Sequence, residues 1–537
     1  MSQDRLDAEA LDSSPNGFPP ARMQGEVRTT SLYPWYVLGV LFLVYVLNFV
    51  DRQILSILAQ DIKASLHVSD AQLGVLYGTA FAIFYSLFGI PLGRLADRWY
   101  RGRLIATGLA AWSTMTAASG LASSYGQLVC ARIGVGIGEA SATPAAYSLL
   151  GDLFPGNRRA LAIAIYSAGL FVGAGLSMPL GGWVAHSWSS SFAPGAAPFG
   201  LAGWQAAFFA VGFPGLLIAL LVLSLREPLR GASEGKAAPV VSPGAWRAFA
   251  REVAAILPPF TIWSVSRFPG ALRLNLLALG ATAGWSLTLA LITGDTVQWF
   301  GLGLGVYAVA SWMQSLYATD RPTFSLLCGT RPVVLALLGF GAINFLTYSF
   351  LFWIPPYTMR TFGVRADVAG LALGVPYGFA SAIGCIVGGY LSDRWKSHDP
   401  RGRLFLCMLA VVLAVPLIVA TLNAPQARVV YFLSPILFAI ANMSLASAAA
   451  AIQDCVLPRM RGTAGALFLL AVSMLGLALG PYTTGKIATV TDSLKVGLLS
   501  ALAMVPLVLL LLGSAARGIA ATENTRTERA RAAGESP

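Results

Sequence analysis

The sequence predicts an all-α polytopic membrane protein made of two repeated six-helix halves with two extra helices between them. Charged residues make up only 11% of the 537 residues and hydrophobic residues 56%, whereas a soluble domain carries about 25% charged residues. Apolar segments of about 20 residues, long enough to cross hydrocarbon as helices, follow one another along the chain. The Lys and Arg residues are sorted by side: 28 of the 36 lie in the tails and loops of one side, and 6 lie on the other. This asymmetry predicts that the side richer in Lys and Arg, which holds both termini, is cytoplasmic.

The first part of the chain contains a polar segment followed by six apolar ones. Residues 1–32 mix acidic residues, Pro and Gly without an apolar run, which predicts a disordered cytoplasmic N-terminus and not a signal peptide. Residues 33–226 are predicted to form an N-terminal six-helix bundle. Its apolar segments lie at about 34–59, 71–96, 104–123, 125–150, 159–185 and 204–225.

The middle of the chain, residues 227–332, is predicted to be a cytoplasmic linker that also contains two extra hydrophobic helices. Two charge-free runs at about 274–293 and 296–319 are each long enough to cross the membrane. Two added crossings leave the orientation of the second half unchanged, which favours fourteen helices in total; an interfacial or re-entrant pair is the alternative. An amphipathic piece is predicted near Trp246–Ile256.

The last part of the chain repeats the organisation of the first. Residues 333–516 are predicted to form a C-terminal six-helix bundle, and residues 517–537 a disordered cytoplasmic tail. The six apolar segments lie at about 333–355, 367–391, 403–422, 429–452, 462–487 and 494–515. Together these features predict a multi-pass protein of the cell inner (plasma) membrane.

A short motif recurs after the second segment of each half. Gly93-Arg-Leu-Ala-Asp97-Arg98-Trp99 follows the first copy, and Gly389-Tyr-Leu-Ser-Asp393-Arg394-Trp395 follows the second; Arg-Gly-Arg comes soon after both. The motif resembles the signature loop of the major facilitator superfamily, which implies two helical bundles that rock against each other. A carboxylate at this position can pair with a basic residue or cap a helix of the other half, holding the cytoplasmic gate shut. The predicted gating residues are Gly93, Asp97, Arg98, Arg103, Gly389, Asp393 and Arg394.

Four ionisable residues lie inside the first and fourth apolar segments. Asp51 and Arg52 are adjacent in the first, and Arg132 and Glu139 lie in the fourth. Such residues cost roughly 2.5–3.5 kcal/mol each at the centre of a membrane helix and usually face a cavity. At 1.5 Å per residue, Asp51 lies about 12 Å and Arg132 about 10 Å below the same end of their helices, so they are expected to meet. Glu139 shares the face of Arg132 about 10 Å deeper, with no expected partner at its own depth.

These charges predict proton coupling. A carboxylate removed from water binds a proton more readily, and a nearby arginine reverses this, whereas arginine itself stays charged. Asp51 and Glu139 are therefore predicted to carry protons, and Arg52 and Arg132 to pair with them or bind an anionic substrate group; a static buried ion pair is the alternative. The motifs Asn48-Phe-Val-Asp51-Arg52 and Arg132-x-Gly-x-Gly-x-Gly-Glu139 are similar to those of the Spinster-like branch.

The second half contributes neutral and aromatic residues to the expected cavity. Together with Asn48 the candidates are Asn344, Tyr348, Tyr377 and Asn442. A cavity with charge on one wall and aromatic surface on the other suits an amphipathic substrate. Animal Spinster-like proteins carry sphingolipid and lysolipid species, so the resemblance implies a lipid-like molecule. The alternative is a proton-linked importer or exporter of aromatic or organic acids or drugs.

Other classes of function find no support in the sequence. The five cysteines form no C-x-x-C pair, which argues against a metal site. The segment Gly480–Lys486 has the spacing of a phosphate-binding loop, but Ile487 replaces the Ser or Thr that would hold magnesium. We therefore expect no cofactor, no enzymatic activity and no nucleic-acid partner. The expected protein is a monomer that meets protons, a small amphipathic molecule and the bilayer.

Overall fold

The computed structural model describes residues 32–193, 196–230, 241, 244–257, 260–267 and 270–535, and they are predominantly helical. The predicted disordered segment 1–32 lies outside the described residues except for Leu32. The helices of the N-terminal half are α1 (Tyr33–Leu66), α2 (Asp70–Tyr77), α3 (Thr79–Ala96), α4 (Arg101–Ser119), α5 (Tyr125–Glu139), α6 (Ala142–Leu153), α7 (Gly156–Ser191) and α8 (Gly203–Leu223).

The central region contains five helices, and the C-terminal half follows. The central helices are α9 (Ala245–Ile256), α10 (Phe260–Val265), α11 (Ala271–Thr293), α12 (Thr296–Thr319) and α13 (Arg321–Leu327). The C-terminal half comprises α14 (Arg331–Phe362), α15 (Ala366–Lys396), α16 (Gly402–Leu422), α17 (Ala427–Asp454), α18 (Arg461–Ala471), a π-helical turn (Val472–Leu477), α19 (Gly480–Thr491), α20 (Leu494–Ser500), α21 (Met504–Asn524) and α22 (Arg526–Ala532). The amphipathic piece predicted near Trp246–Ile256 is confirmed as α9.

Eleven helices among the described residues are long and apolar enough to cross a membrane. They include α11, the first of the two extra helices. The predicted third and fourth segments and the second extra helix are not among the eleven. Polar side chains such as Gln298, Ser311 and Gln314 dilute the apolar character of α12, and the fourth segment is divided into α5 and α6. The total of fourteen crossings stays a prediction.

Three membrane segments are interrupted where other helices approach closely. The second segment breaks at Gly78, between α2 and α3. The segment that runs from α18 to α19, which is the eleventh when the two extra helices are not counted, contains the π-helical turn Val472–Leu477. The two interruptions touch: a Cβ atom at Gly78 would overlap the backbone oxygen of Leu477. The fourth segment breaks after Glu139, where the Ser141 hydroxyl donates to the Gly138 carbonyl at 2.8 Å. Such interruptions often mark functional sites.

The predicted disordered tail is wrong over the described part of 517–537. Helix α21 continues to Asn524 and α22 follows it, with Ala530 fully buried. The tail is ordered because its charges find partners on the C-terminal half. Glu523 accepts from Lys396 at 2.8 Å, and Arg529 donates to the hydroxyl of Thr330. Composition alone predicted disorder, since these partners lie far away in the sequence.

The two halves are joined mainly at one face of the bundle. We call the face where α1 begins and α21 ends the terminal face, and the opposite one the distal face. Near the distal face the Ser56 hydroxyl donates to the carbonyl of Phe352 at 2.7 Å, and the glycine-lined faces of α7 and α15 touch. At the terminal face no hydrogen bond or ion pair joins described residues of the two halves. The structure is therefore closed at its distal face.

Helix α12 is tied to the eleventh segment at both of its ends. At the distal end Asp295 pairs with Lys486 at 2.7 Å and accepts from the Tyr482 hydroxyl at 2.9 Å. At the terminal end Asp320 pairs with Arg459 at 3.0 Å. Helix α12 therefore lies antiparallel to the eleventh segment, with an ion pair at each end.

The terminal ion pair is expected to depend on pH. Burial alone would raise the pKa of the Asp320 carboxyl, but the hydrogen bonds from Arg459 and Thr323 outweigh burial and hold the pKa below its usual value. A lowered pKa in the folded state means that the stabilisation is complete above about pH 4, the unfolded value, and is lost as the pH falls through the folded value. Asp320→Asn should lower the free energy of unfolding by about 0.5–1 kcal/mol at pH 7. Thermal unfolding of both proteins in detergent at pH 7 and at pH 3 measures this difference, and a constant difference would contradict the assignment.

Candidate functional site

The glycine run of α5 brings the charged residues of the fourth segment against the rest of the N-terminal half. A Cβ atom at Gly136 would lie 2.7 Å from the Phe81 carbonyl oxygen, and one at Gly138 would lie 2.8 Å from Trp112. These contacts leave no room for a side chain at either position. Close packing of α5 on α3 and α4 therefore fixes the positions of Arg132 and Glu139 beside α1.

The centre of the N-terminal half holds a buried ion pair between α1 and α5. Arg52 Nη2 lies 2.8 Å from Glu139 Oε2, and the side chains are 7% and 0% exposed. The same Nη2 lies 3.4 Å from the side-chain oxygen of Asn48, one turn along α1. The expectation that Glu139 has no partner is therefore wrong. The Arg52 side chain is long enough to reach one turn toward the terminal face, which depth measured along the backbone does not reveal.

Three aromatic rings surround the Arg52 guanidinium. Its central carbon lies 4.3 Å from the ring centroid of Phe81, 4.7 Å from that of Phe49 and 4.9 Å from that of Tyr85. A cation over aromatic faces is stabilised by about 2 kcal/mol when it is removed from water. The rings hold the guanidinium in place without neutralising it, so the Arg52–Glu139 pair can change while Arg52 stays charged. We call Phe49, Phe81 and Tyr85 the aromatic cage.

The second predicted pair has a different geometry from the one expected. Arg132 Nη1 donates to the backbone carbonyl of Asp51 at 3.1 Å, so the two residues meet at the depth that the sequence predicts. The Asp51 carboxyl oxygen Oδ1 has no hydrogen-bond partner, and neither do Nε and Nη2 of Arg132. Asp51 is 1% exposed and Arg132 0%. Buried polar groups of this kind are costly when unpaired, so this pocket is unsatisfied in the present state.

The side chain of Asp51 faces helix α4. The indole Nε1 of Trp112 and the hydroxyl of Thr116 are its nearest polar neighbours on that helix, and both are buried without a hydrogen-bond partner of their own. Trp112 and Thr116 therefore lie beside the Asp51 carboxyl without a well-formed hydrogen bond, and Arg132 contacts Asp51 through the backbone carbonyl of that residue. A proton or a water molecule would satisfy several of them at once.

The cavity candidates of the second half fall into two groups. Tyr348 faces Arg52 from α14, and Asn344, one turn away, is partly buried and donates to the carbonyl of Phe340 in its own helix at 2.9 Å. Tyr377 packs edge-on against Phe438 between α15 and α17, with ring centroids 4.9 Å apart. Asn442 donates to the Ser381 hydroxyl at 3.3 Å beside them. The structure thus brings Tyr348 to the charged wall, and it holds Tyr377 and Asn442 within the C-terminal half.

The predicted gating motifs are engaged within their own regions. In the N-terminal half, Asp97 faces Arg230, Arg101, Arg98 and Arg94, and burial raises the pKa of its carboxyl. Arg103 lies over the ring of Tyr100, and Gly93 packs against Pro144. In the C-terminal half, Asp393 pairs with Arg403 at 2.9 Å, Arg394 lies 3.4 Å from the Tyr390 hydroxyl, and Gly389 packs against Ala446. None of these described contacts crosses between the halves.

A second charged cluster closes the distal face, and the sequence reasoning missed it. Arg360 of α14 donates to the Asp70 carboxylate of α2 at 2.6 Å and to Gln60 of α1 at 2.6 Å. Lys63 pairs with the same carboxylate at 2.8 Å. Asp70 is 3% exposed. The signal was available, since Asp70 and Arg360 lie at helix ends on the side poor in Lys and Arg, but only Arg360 entered the sequence argument, in the count that assigns orientation. We call Gln60, Lys63, Asp70 and Arg360 the distal gate.

Removing one ring of the aromatic cage tests its contribution. Phe81→Leu should lower the free energy of unfolding by about 2 kcal/mol beyond the loss of apolar volume, because Arg52 loses its nearest ring. Thermal unfolding in detergent measures the change, with Phe379→Leu as the matched control because Phe379 is 71% exposed. Equal melting temperatures for the two variants would show that the cage does not hold Arg52.

Comparisons with known proteins agree with this geometry. The sequence profile of the Major Facilitator Superfamily matches residues 41–481. The chain belongs to the Major Facilitator Superfamily. Within it, the chain is 28% identical over 464 residues to an MFS-type efflux pump of Mycolicibacterium smegmatis, covering 86% of each protein. It is 25% identical to the protein spinster of Drosophila melanogaster, covering 88% of this chain and 65% of that protein.

A solved member of the superfamily is similar over nearly the whole chain. It is a bacterial homologue of the human lysosomal transporter Spinster, in an inward-facing and unoccupied conformation; the TM-score is 0.66, the identity 26%, and the alignment covers 93% of this chain and 98% of that one. The predicted major facilitator fold and the predicted resemblance to the Spinster-like branch are confirmed. The protein is a multi-pass secondary transporter of small molecules.

Proposed function

We propose that this protein is a proton-coupled transporter of an amphipathic or lipid-like organic molecule. The observation that carries the proposal is the buried Arg52–Glu139 pair at 2.8 Å close to the Asp51 carboxyl, which has no ion pair and whose Oδ1 has no hydrogen-bond partner. Two carboxylates and two arginines lie in one buried cluster, and only one direct ion pair connects them. Such a cluster can take up a proton by changing which charges face each other, which a fully paired network cannot do without breaking bonds.

Proton uptake is assigned to Asp51 and Glu139. Protonation of Glu139 would cancel the charge that holds Arg52, and the aromatic cage would keep the guanidinium in place. Asp51 can bind its proton from the pocket that it shares with Trp112 and Thr116. Arg52 and Arg132 supply the positive charge that an anionic substrate group would need, and Nε and Nη2 of Arg132 are available for it.

The proposed alternating access depends on the distal gate and, at the terminal face, on the predicted gating motifs around Asp97 and Asp393. In the present state the distal gate is closed by Asp70 and Arg360, while the motifs of Asp97 and Asp393 are engaged within their own regions. If the terminal face is cytoplasmic, as the distribution of Lys and Arg predicts, this state is inward-facing. Opening to the other side requires the Asp70–Arg360 pair to break. We propose, on the distribution of Lys and Arg, that both termini are cytoplasmic and that the membrane is the cell inner membrane.

The proposal of an amphipathic substrate depends on the different chemistry of the two facing surfaces, one in the N-terminal half and one on α14. The N-terminal half presents Arg52, Glu139 and Asn48, whereas the opposing α14 presents Tyr348 and Asn344. A charged head group fits the first wall and an apolar body fits the second. The second candidate is drug or organic-acid transport, which the similarity to an MFS-type efflux pump favours.

A substrate screen in proteoliposomes tests the proposal. Purified protein is reconstituted, and uptake of single-chain amphiphiles, aromatic acids and cationic drugs is measured with and without an imposed pH gradient. The proposal expects gradient-dependent uptake of an amphiphile. Transport at the same rate with and without the pH gradient would contradict the proposed proton coupling. Transport of water-soluble acids alone would favour the second candidate, an organic-acid transporter.

A further inference from the structure

The two extra helices have no role in the mechanism described so far, and the position of α12 suggests one. Helix α12 lies over the line where the two halves meet along the second and eleventh segments. A Cβ atom at Gly301 would lie 3.3 Å from Thr79 and 3.6 Å from Ile83 of α3, and one at Gly305 would lie 2.8 Å from Met474 of the π-helical turn. We call this line the covered seam.

A polar junction beneath the first turn of α12 closes the covered seam toward the distal face. The Thr79 hydroxyl donates to the Ala478 carbonyl at 2.9 Å and also contacts the Gln298 side chain. The Gln298 amide donates to the same carbonyl at 3.4 Å. Thr79 is 2% and Gln298 0% exposed. One side chain of α12 therefore contacts both halves at the point where the second and eleventh segments are interrupted.

The ion pairs at the two ends fix α12 to the C-terminal half. Asp295–Lys486 and Asp320–Arg459 connect both ends of α12 to the eleventh segment. Contact with the N-terminal half comprises packing on Ile83, the hydroxyl of Thr79, and the apolar cluster of Ala71, Val75 and Tyr482 against which Trp299 packs. It includes no ion pair among the described residues. When the halves move, α12 should therefore travel with the C-terminal half and slide over α3 on its glycine face.

Helix α9 extends this cover to the terminal face. Its Val253, Ile256 and Leu257 lie against Leu87, Phe88 and Pro91 of α3. Glu252 pairs with Arg94, and Trp246 packs edge-on against Trp99 with centroids 5.1 Å apart. The terminal part of α3, which would otherwise face lipid, is thus lined by a second helix.

The opposite seam, between α7 and α15, is built differently. From the distal face to mid-depth the backbones touch. A Cβ atom at Gly182 would overlap the Ala366 carbonyl oxygen near the distal face, and one at Gly378 would lie 2.8 Å from the Phe171 carbonyl oxygen at mid-depth. Toward the terminal face the described glycine contacts are within each half, since Gly169 packs on α1 and Gly388 on α17. Ala164 lies two turns from Phe171 on the same face and is exposed, whereas Phe171 is buried. We call the line between the terminal halves of α7 and α15 the open seam.

We propose that α12, fixed at both ends to the C-terminal half and extended by α9, is a permanent cover of one seam, so that an amphipathic substrate exchanges with the bilayer only through the open seam. The substrate part of this inference rests on the proposed function, whereas the cover itself does not. The exposed apolar residues Leu161 of α7 and Ile386 of α15 give the open seam a surface that an acyl tail can follow.

Cysteine labelling from the membrane tests the cover. The five native cysteines are replaced, and single cysteines are placed under the cover (Ile83→Cys), at the open seam (Ala164→Cys) and on the lipid-facing surface of α11 (Leu277→Cys). A maleimide that partitions into the bilayer should label Ala164→Cys and Leu277→Cys, and Ile83→Cys at least tenfold more slowly. Labelling of Ile83→Cys as fast as Leu277→Cys would overturn the proposal.

Releasing α12 separates its effect from ordinary burial of Ile83. Asp295→Lys combined with Asp320→Lys should raise the labelling of Ile83→Cys at least fivefold. The single change Asp295→Lys should raise it less, and the charge exchange Asp295→Lys with Lys486→Asp should restore slow labelling. Unchanged slow labelling in the released protein would show that α3 and the π-helical turn alone bury Ile83, and would overturn the cover.

A photoreactive amphiphile tests the route. A lysophospholipid with a diazirine in its acyl tail is incorporated into the proteoliposomes, and adducts are mapped by mass spectrometry. Adducts on the terminal halves of α7 and α15 support the proposal, and adducts on α3 or α12 overturn it. No adduct at either seam, with the expected cysteine pattern intact, would overturn the amphipathic substrate of the proposed function and the open-seam route, and leave the cover standing.

Discussion

Replacing Glu139 by Gln is expected to abolish pH-driven uptake while the protein remains folded. The glutamine keeps an oxygen that can accept from Arg52 Nη2, but it carries no charge and binds no proton in the working range. Because Arg52 is buried and has no other ion-pair partner among the described residues, the cluster loses the group whose charge changes. Uptake should fall to the level of protein-free vesicles, measured with the best substrate of the screen.

Glu139→Gln is also expected to lower the free energy of unfolding, so stability is measured together with transport. Removing one partner of a buried ion pair typically lowers the free energy of unfolding by about 3–5 kcal/mol. Because the hydrogen bond and the aromatic cage are retained, we expect about 3 kcal/mol for this variant. Glu523→Gln is the matched control, since Glu523 pairs with Lys396 at the terminal edge, away from the cluster. The control should keep full uptake. Normal uptake by Glu139→Gln would show that the Arg52–Glu139 pair only stabilises the packing of α1 against α5.

Replacing Gly374 by Val is expected to trap the transporter with its distal face open. A Cβ atom at Gly374 would lie 2.6 Å from the carbonyl oxygen of Gly175 and 2.7 Å from Pro179. Backbone atoms at that distance have to move, so α7 and α15 cannot close on each other near the distal face. Each half keeps its own core, so folding should be preserved, and uptake should fall at least about tenfold because the cycle lacks the closed distal state.

The trapped state can be detected separately from transport. Gln53 lies beneath the distal gate, where its side chain donates to the carbonyl of Leu351 at 3.4 Å and is 2% exposed. In a cysteine-free background, Gln53→Cys combined with Gly374→Val should react faster with a water-soluble maleimide added from the distal side. Gly513→Val is the matched control, because no atom lies within 4 Å of a Cβ built there. Unchanged labelling and normal uptake would show that the distal seam need not close.

The architecture could be predicted from the sequence because lipid imposes simple rules on length, charge and repetition. The recurrence of Gly93–Trp99 as Gly389–Trp395 indicated two halves, and the depth of Asp51 and Arg132 along their helices predicted correctly that the two residues meet. These inferences depend only on position along a helix. They hold because the position of a residue along an α-helix determines its depth in the membrane to within one turn.

The partners within the site could not be predicted in the same way. Arg52 was predicted to pair with a carboxylate or bind an anionic group, but the sequence does not say which carboxylate it meets. Its side chain reaches toward the terminal face and pairs with Glu139 inside three rings. The direction of the Arg52 side chain determines this contact, and that direction cannot be read from the spacing of residues along the sequence. The interruption at Gly78 likewise depends on a contact with Leu477, 399 positions further along, and the order of the tail depends on Thr330, just before α14, and on Lys396 of α15.

The distal gate and the aromatic cage complete a consistent mechanism. The gate holds the halves together through Asp70 and Arg360, while the cage keeps Arg52 charged and in place beside a carboxyl that can be neutralised. Proton binding and gate opening would then be linked because α1 carries Asp51 and Arg52 at its centre and Gln60 and Lys63 at its distal end.

The central claim, that Asp51 carries a proton, is tested most directly by comparing two transport modes of Asp51→Asn in the same proteoliposomes. Uptake driven by a pH gradient requires proton movement, whereas counterflow of labelled against unlabelled substrate requires only alternating access. The expected result is loss of pH-driven uptake with counterflow retained at no less than about half the unmodified rate. Retention of full pH-driven uptake by Asp51→Asn would contradict the claim.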